Sequence, residues 1–236
     1  MVIKHEEWKK ILSAVNEKED RSKDNVIDKI KEELKKYPEE YKKWEEVGFD
    51  VNYLFEIKDD TLIAYDRFTL LHLAAKNGHA DVVNALIQNG ANVNAKDYFK
   101  STPLLNAARN GHIDTVKVLI AKRADVNAED NFKSLLYIML LNMVIGTVNA
   151  LIQNGADLLL KNNSGKTPRD LARTDDIKKL LEEEEEQLKK LNEEKNDLTQ
   201  DKDDNKDTTP LLEETEKNNL HQQLKKVFSP VVQSQY

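Results

Sequence analysis

Apolar residues in this chain fall into short helical stripes that return at a fixed interval. Leu71, Leu73, Ala74 and Ala75 make one face of a short helix, and Val82, Val83, Leu86 and Ile87 make the buried stripe of a second. Between them stands Gly78, which ends the first helix in a left-handed conformation that is cheap only for glycine, and Asp81 opens the second. Gly90 stops that helix, and Asn92-Val-Asn94 leads out into an extended loop. The same pattern returns after 33 residues: Thr69-Leu-Leu-His-Leu-Ala-Ala-Lys-Asn-Gly-His79 reappears as Thr102-Pro-Leu-Leu-Asn-Ala-Ala-Arg-Asn-Gly-His112, and Leu86 to Asn94 reappears as Leu119 to Asn127. A period of this length means stacked supersecondary units, none of which can bury its apolar face alone. Two antiparallel helices and a projecting loop make one unit, and the small Ala74, Ala75, Ala107 and Ala108 let successive pairs approach closely.

These residues closely resemble the ankyrin repeat, whose pattern is Thr-Pro-Leu-His-x-Ala-Ala-x-x-Gly-His followed by Val-x-x-Leu-Ile-x-x-Gly-Ala-Asn-Val-Asn. Copy two has Thr102-Pro103 but Leu105 where the family has His; copy one keeps His72 but has Leu70 for Pro. The resemblance implies an all-α solenoid of helix-turn-helix units with short projecting loops.

A third, eroded copy starts at Ser134 and continues from Val148 to Asp157, with the Ala pair replaced by Met139 and Leu140 and the Gly-His pair by Met143 and Val144. A fourth, truncated copy runs from Gly165 to Ala172, and its shortened second helix ends near Leu181; its polar Arg169, Asp170, Lys178 and Lys179 suit a capping unit. Residues 65–181 are thus expected to hold the repeats. Residues 1–52 read as an N-terminal helical cap with a degenerate repeat, since Gly48-Phe-Asp-Val-Asn52 echoes Gly90 to Asn94 and Trp8, Ile11, Leu12 and Val15 share one helical side. Residues 53–64 are an insertion loop. Residues 182–236 read as an acidic, mostly disordered tail. Leu181, Leu188, Leu191 and Leu198 sit at a and d spacing there, but Glu184 and Lys195 interrupt the seam, which favours a solvated helix over a coiled coil.

Composition narrows the chemistry. The net charge of −7 lies wholly in residues 182–207, where twelve acids face five lysines, so the repeats offer no basic face for nucleic acid. There is no cysteine, which suits a reducing, intracellular setting. No apolar run reaches the roughly 20 residues of a membrane span. His72, His79 and His112 occupy positions where the family itself has His in structural hydrogen bonds, and no two histidines sit at i, i+4 with a third ligand nearby. No phosphate loop or nucleophile motif is present. A non-catalytic, monomeric protein without metal or cofactor is expected, in the cytoplasm or, for a secreted effector, a host cytosol.

In ankyrin-type proteins the partner usually sits on a concave surface made of loop tips and the exposed side of each first helix. By alignment the tips are Tyr65, Asp66 and Phe68, then Tyr98, Phe99 and Ser101, then Phe132; the helix positions are Lys76 and Asn77, Arg109 and Asn110, Leu141 and Asn142. The fingertip glycine of the family is Arg67, Lys100 and Lys133, and aromatics recur where solvent favours small turn formers. Aromatics and Arg are enriched in hot spots, so these residues are expected to hold a protein partner. The alternatives are a regulatory inhibitor acting through the acidic tail, or a host-directed effector of an intracellular bacterium.

Overall fold

A computed structural model of the chain describes residues 3–17, 25–58, 65–130, 145–161 and 164–200. The two regular copies fold as the period predicts. Helices α4 (Leu70–Lys76) and α5 (Ala80–Gln88) form one pair, α6 (Pro103–Arg109) and α7 (Ile113–Ala121) the next. Helix α4 packs on α6 and α5 on α7. The four alanines of the first helices are fully buried in this seam, as are Leu71, Leu73, Leu86 and Leu119. Thr69 and Thr102 cap the first helices through their side chains, and Pro103 occupies the first turn, where its missing N–H costs nothing.

The N-terminal region forms a helix pair of its own. Helix α1 (His5–Glu17) buries Trp8, Ile11, Leu12 and Val15, and α2 (Val26–Leu34) buries Val26, Ile30 and Leu34. They stack on α4 and α5 respectively, so they stand in the place of a preceding repeat. A further helix, α3 (Pro38–Glu46), follows. Its short apolar stripe hides it in the sequence, yet Trp44 is fully buried and its indole N–H donates to the Asp50 carbonyl over 2.8 Å.

The insertion is not all loop. Phe55–Lys58 (β1) pairs antiparallel with Tyr65–Phe68 (β2), with Phe55 opposite Phe68 and Ile57 opposite Asp66. The alternation of Phe55 and Ile57 with Glu56 and Lys58 explains the strand, because both apolar residues turn into the core. Phe55 meets Trp8 edge-on at 4.6 Å and Trp44 at 5.7 Å, which locks the hairpin to α1 and α3. Among the described residues the fold is therefore helical with this one addition.

Beyond copy two, α8 (Ile145–Gln153) packs on α7; the first helix expected in copy three lies outside the described residues. Helix α9 (Pro168–Leu171) opens with a capping box between Thr167 and Asp170. Helix α10 runs from Asp175 to Gln200 without a break at Leu181. Leu181 is fully buried, Glu185 is buried and ion-paired with Arg169 at 3.3 Å, and Leu188 packs against the core. The expected tail thus begins as an ordered helix, because two turns past Leu181 still touch the array.

Candidate partner-binding surface

Three sets of side chains position the loops. The first is a ladder of asparagines where the loops begin. Asn52 donates to the Gly90 carbonyl and accepts from the Asn92 N–H at 2.7 Å. Asn94 accepts from the Asp125 N–H at 2.8 Å, and Asn127 donates to the Gly155 carbonyl and accepts from the Asp157 N–H, both at 2.8 Å. Each rung satisfies backbone groups of the next copy, so every loop is registered to its neighbour.

Histidines form the second set. His72 donates from Nε2 to the Ser101 carbonyl at 3.1 Å, which leaves Nδ1 as acceptor for the Thr69 hydroxyl at 2.8 Å and the Thr69 N–H at 3.3 Å. One neutral tautomer serves all three bonds. Burial pushes the imidazole down to about 4, against the bonds to backbone carbonyls that favour its charged form. His112 donates from Nε2 to the Lys76 carbonyl at 3.0 Å, and His79 sits 3.4 Å from the Ser13 hydroxyl of α1. Histidine here joins copy to copy. Among the described residues no three His, Asp or Glu side chains converge as a metal site would need.

The third set is acidic. Asp97 accepts from the N–H groups of Phe99 and Ser101 at 2.9 and 2.8 Å, while its own N–H donates to the Ser101 carbonyl. This closes the finger Asp97–Ser101 from beneath. Burial pushes the Asp97 carboxyl up to about 6, helped by the charge of Asp66 and opposed by the two N–H bonds. The sequence Asp97-Tyr-Phe-Lys-Ser101 recurs as Asp130-Asn-Phe-Lys-Ser134, of which only Asp130 lies among the described residues. Arg109 reaches from α6 to Asp130 at 2.7 Å, with Asp130 fully buried in its side chain and Arg109 about two-fifths exposed.

The expected binding residues divide sharply on this frame. Tyr98 is 62% exposed and meets Phe99 edge-on at 5.3 Å; Phe99 is half-buried. Arg109 and Asn110 are exposed and Lys76 and Asn77 half-buried. Asn77 and Asn110 each donate to the backbone carbonyl four residues back at 2.8 Å, so both also finish their helices. Asp66, Phe68 and Ser101 are buried, which corrects the expectation that they stand open at the tips. Phe68 is strand residue rather than tip, packed against the rings of His5 and His72 and beneath the Lys76 ammonium. Tyr65 lies at the start of β2, opposite Lys58. Phe132, Leu141 and Asn142 lie outside the described residues.

Among the described residues the finger that stands open is Lys96 to Lys100, with Tyr98 at its crest. Lys100 holds a left-handed backbone, φ +63°, in the place of the family's fingertip glycine. That conformation costs a non-glycine residue about 1 kcal/mol or more.

Comparison with known proteins agrees with this architecture. A family model described as ankyrin repeats, in three copies, matches residues 48–130. A 36-residue stretch, 15% of this chain, is 56% identical to a putative ankyrin repeat protein of Rickettsia bellii and covers 15% of it. A 50-residue stretch, 20% of this chain, is 48% identical to the serine/threonine-protein kinase VIK of Arabidopsis thaliana and covers 11% of that protein. The chain therefore spans only a small part of either relative.

Proposed function

We propose, from the chain's membership of the ankyrin-repeat family over residues 48–130, that it is a non-catalytic module that holds a protein partner on the fingers and first helices of its repeats. Ankyrin repeats are in general interaction modules, and the finer reading concerns where this one binds. The observation that carries it is Tyr98: a large ring, 62% exposed, at the crest of a finger whose backbone is fixed from below by Asp97. A rigid, solvated aromatic loses little entropy on contact and gains much by desolvation. Lys100 supports the reading, because it sets an exposed cationic side chain two residues from Tyr98 on the same finger. Arg109 and Lys76 extend the surface along α6 and α4. The array up to α10 forms the proposed module.

The test compares wild type, Tyr98→Ala and a surface control such as Lys122→Ala as bait for affinity capture from cell extract. Proteins retained by wild type and the control, but lost with Tyr98→Ala, are expected. A set of captured proteins unchanged by Tyr98→Ala sinks this placement of the site.

A further inference from the structure

On the hairpin side of the molecule, α3 and β1 enclose a groove of about 420 Å³ walled by Glu40, Lys43 and Arg67, with the chain from Tyr53 to Glu56 along its length. Strand β1 is paired on one edge only among the described residues. Among the described residues, no backbone hydrogen bond leaves Leu54–Lys58 except to β2. An open strand edge is a row of unsatisfied donors and acceptors, ready to pair with another extended chain.

The charges of the groove are already matched. Lys43 pairs with Glu40 at 3.0 Å and Arg67 with Glu56 at 3.2 Å. A charged ligand would have to break one of these pairs, whereas a peptide main chain leaves both intact. Glu40 is 5% exposed in its side chain and stays in its pair with Lys43 along the wall of the groove. Leu54, 38% exposed, supplies the apolar contact.

We infer that β1 takes an extended, uncharged stretch of a partner polypeptide as a third strand of the hairpin. Main-chain bonds along the edge give the affinity, and alternate side chains set the preference. With four residues in β1 and a rise of about 3.3 Å per residue, the contact accommodates roughly four residues of the incoming strand. One of its side chains lies over Leu54. This site is separate from the Tyr98 finger and stands without it.

The test titrates the isotope-labelled full chain with the peptide acetyl-Thr-Val-Thr-Val-amide and follows backbone amide shifts. Saturable shifts at residues 54–58 are expected. The same peptide methylated on both valine nitrogens binds at least tenfold more weakly, because the donors along its edge are gone. Leu54→Asp, at an exposed position, abolishes the shifts while circular dichroism shows an unchanged fold, and Tyr98→Ala leaves them intact. Absence of saturable shifts, equal binding by the methylated peptide, or shifts confined to residues 96–101 overturns the proposal.

Discussion

The imidazole of His112 rests so close to Gly78 that a Cβ added there would lie 2.5 Å from its Nδ1. Gly78 also has φ +75°, so the position demands glycine twice over, once for its own backbone and once for its neighbour's ring. Gly111, one repeat on, has φ +73° but, among the described residues, no atom within 4 Å of the same point. The next copy carries Val144 instead of a histidine in that register. Gly78→Ala is therefore expected to cost about 2–4 kcal/mol, combining the left-handed penalty with loss of the His112 bond, and Gly111→Ala about 1 kcal/mol. Urea unfolding of the two variants measures the difference; equal losses would mean that the histidine bond contributes nothing.

Two buried groups titrate in opposition. His72 falls from 6.5 to about 4 in the fold, so between those values the unfolded chain binds more protons and stability is lost as pH falls. Asp97 rises from 3.8 to about 6, so in nearly the same window the folded chain binds more protons and stability is gained as pH falls. Their contributions largely cancel in the wild type. Asp97→Asn, which keeps an oxygen for the Phe99 and Ser101 N–H groups, uncovers the histidine and should steepen the loss between pH 6 and 4. His72→Leu, copying Leu105, should reverse the slope. Melting temperatures at pH 4, 5, 6 and 7 read both signs; parallel profiles for the two variants contradict the assignment.

Arg109, proposed above as part of the binding surface, is also a support. Its guanidinium neutralises a fully buried Asp130 carboxylate while remaining partly in solvent, so Arg109→Ala is expected to lower stability by about 1–3 kcal/mol. Tyr98→Ala should leave the melting temperature within a degree or two, since the ring is mostly solvated. Thermal unfolding separates the two, and a large loss for Tyr98→Ala would make that ring a strut of the finger.

The fingertip strain gives a stabilising variant. Lys100 at φ +63° and Arg123 at φ +64° occupy positions of left-handed backbone, Arg123 standing where Gly90 stands one repeat earlier. Replacing Arg123 by Gly should raise stability by roughly 0.5–1 kcal/mol, after subtracting the extra freedom glycine gives the unfolded chain. Lys100→Gly should do the same while weakening partner binding. Chemical denaturation checks the first claim, and a drop in stability for either variant refutes the strain.

The end of the module is placed by α10. A chain cut after Leu181 loses both Arg169 ion pairs, to Glu182 at 3.7 Å and Glu185 at 3.3 Å, together with the packing of Leu188. A chain cut after Gln200 keeps them. The shorter product is expected to melt several degrees lower, and identical melting would return the boundary to Leu181.

The repeats were legible because their information is periodic. Two copies carrying the same Thr cap, the same alanine pair and the same Gly-His turn identify one another before any fold is known. The asparagine ladder was visible only as repeated Asn-Val-Asn, since nothing local says that Asn94 bonds a copy 31 residues away. The hairpin was missed for a different reason. Four residues, Phe55 to Lys58, are too few for a period to stand out, and their burial depends on Trp8 and Trp44, which are distant in sequence. At the candidate site the alignment reached the loop that carries Tyr98 but could not tell exposure from burial. Tyr98 and Phe68 look alike in the sequence, and only the pairing of β2 with β1 turns Phe68 inward.

The asparagine bonds have a mechanical meaning. From Asn52 to Asp157 the loop bases are tied at bond lengths of 2.7–3.2 Å, each to the next, so that margin of the solenoid behaves like the spine of a book. Its length is fixed while the pages turn. Any bending of the array then makes the helix pairs fan by rocking about this line, sliding over their small alanine contacts, and the displacement grows with distance from the spine.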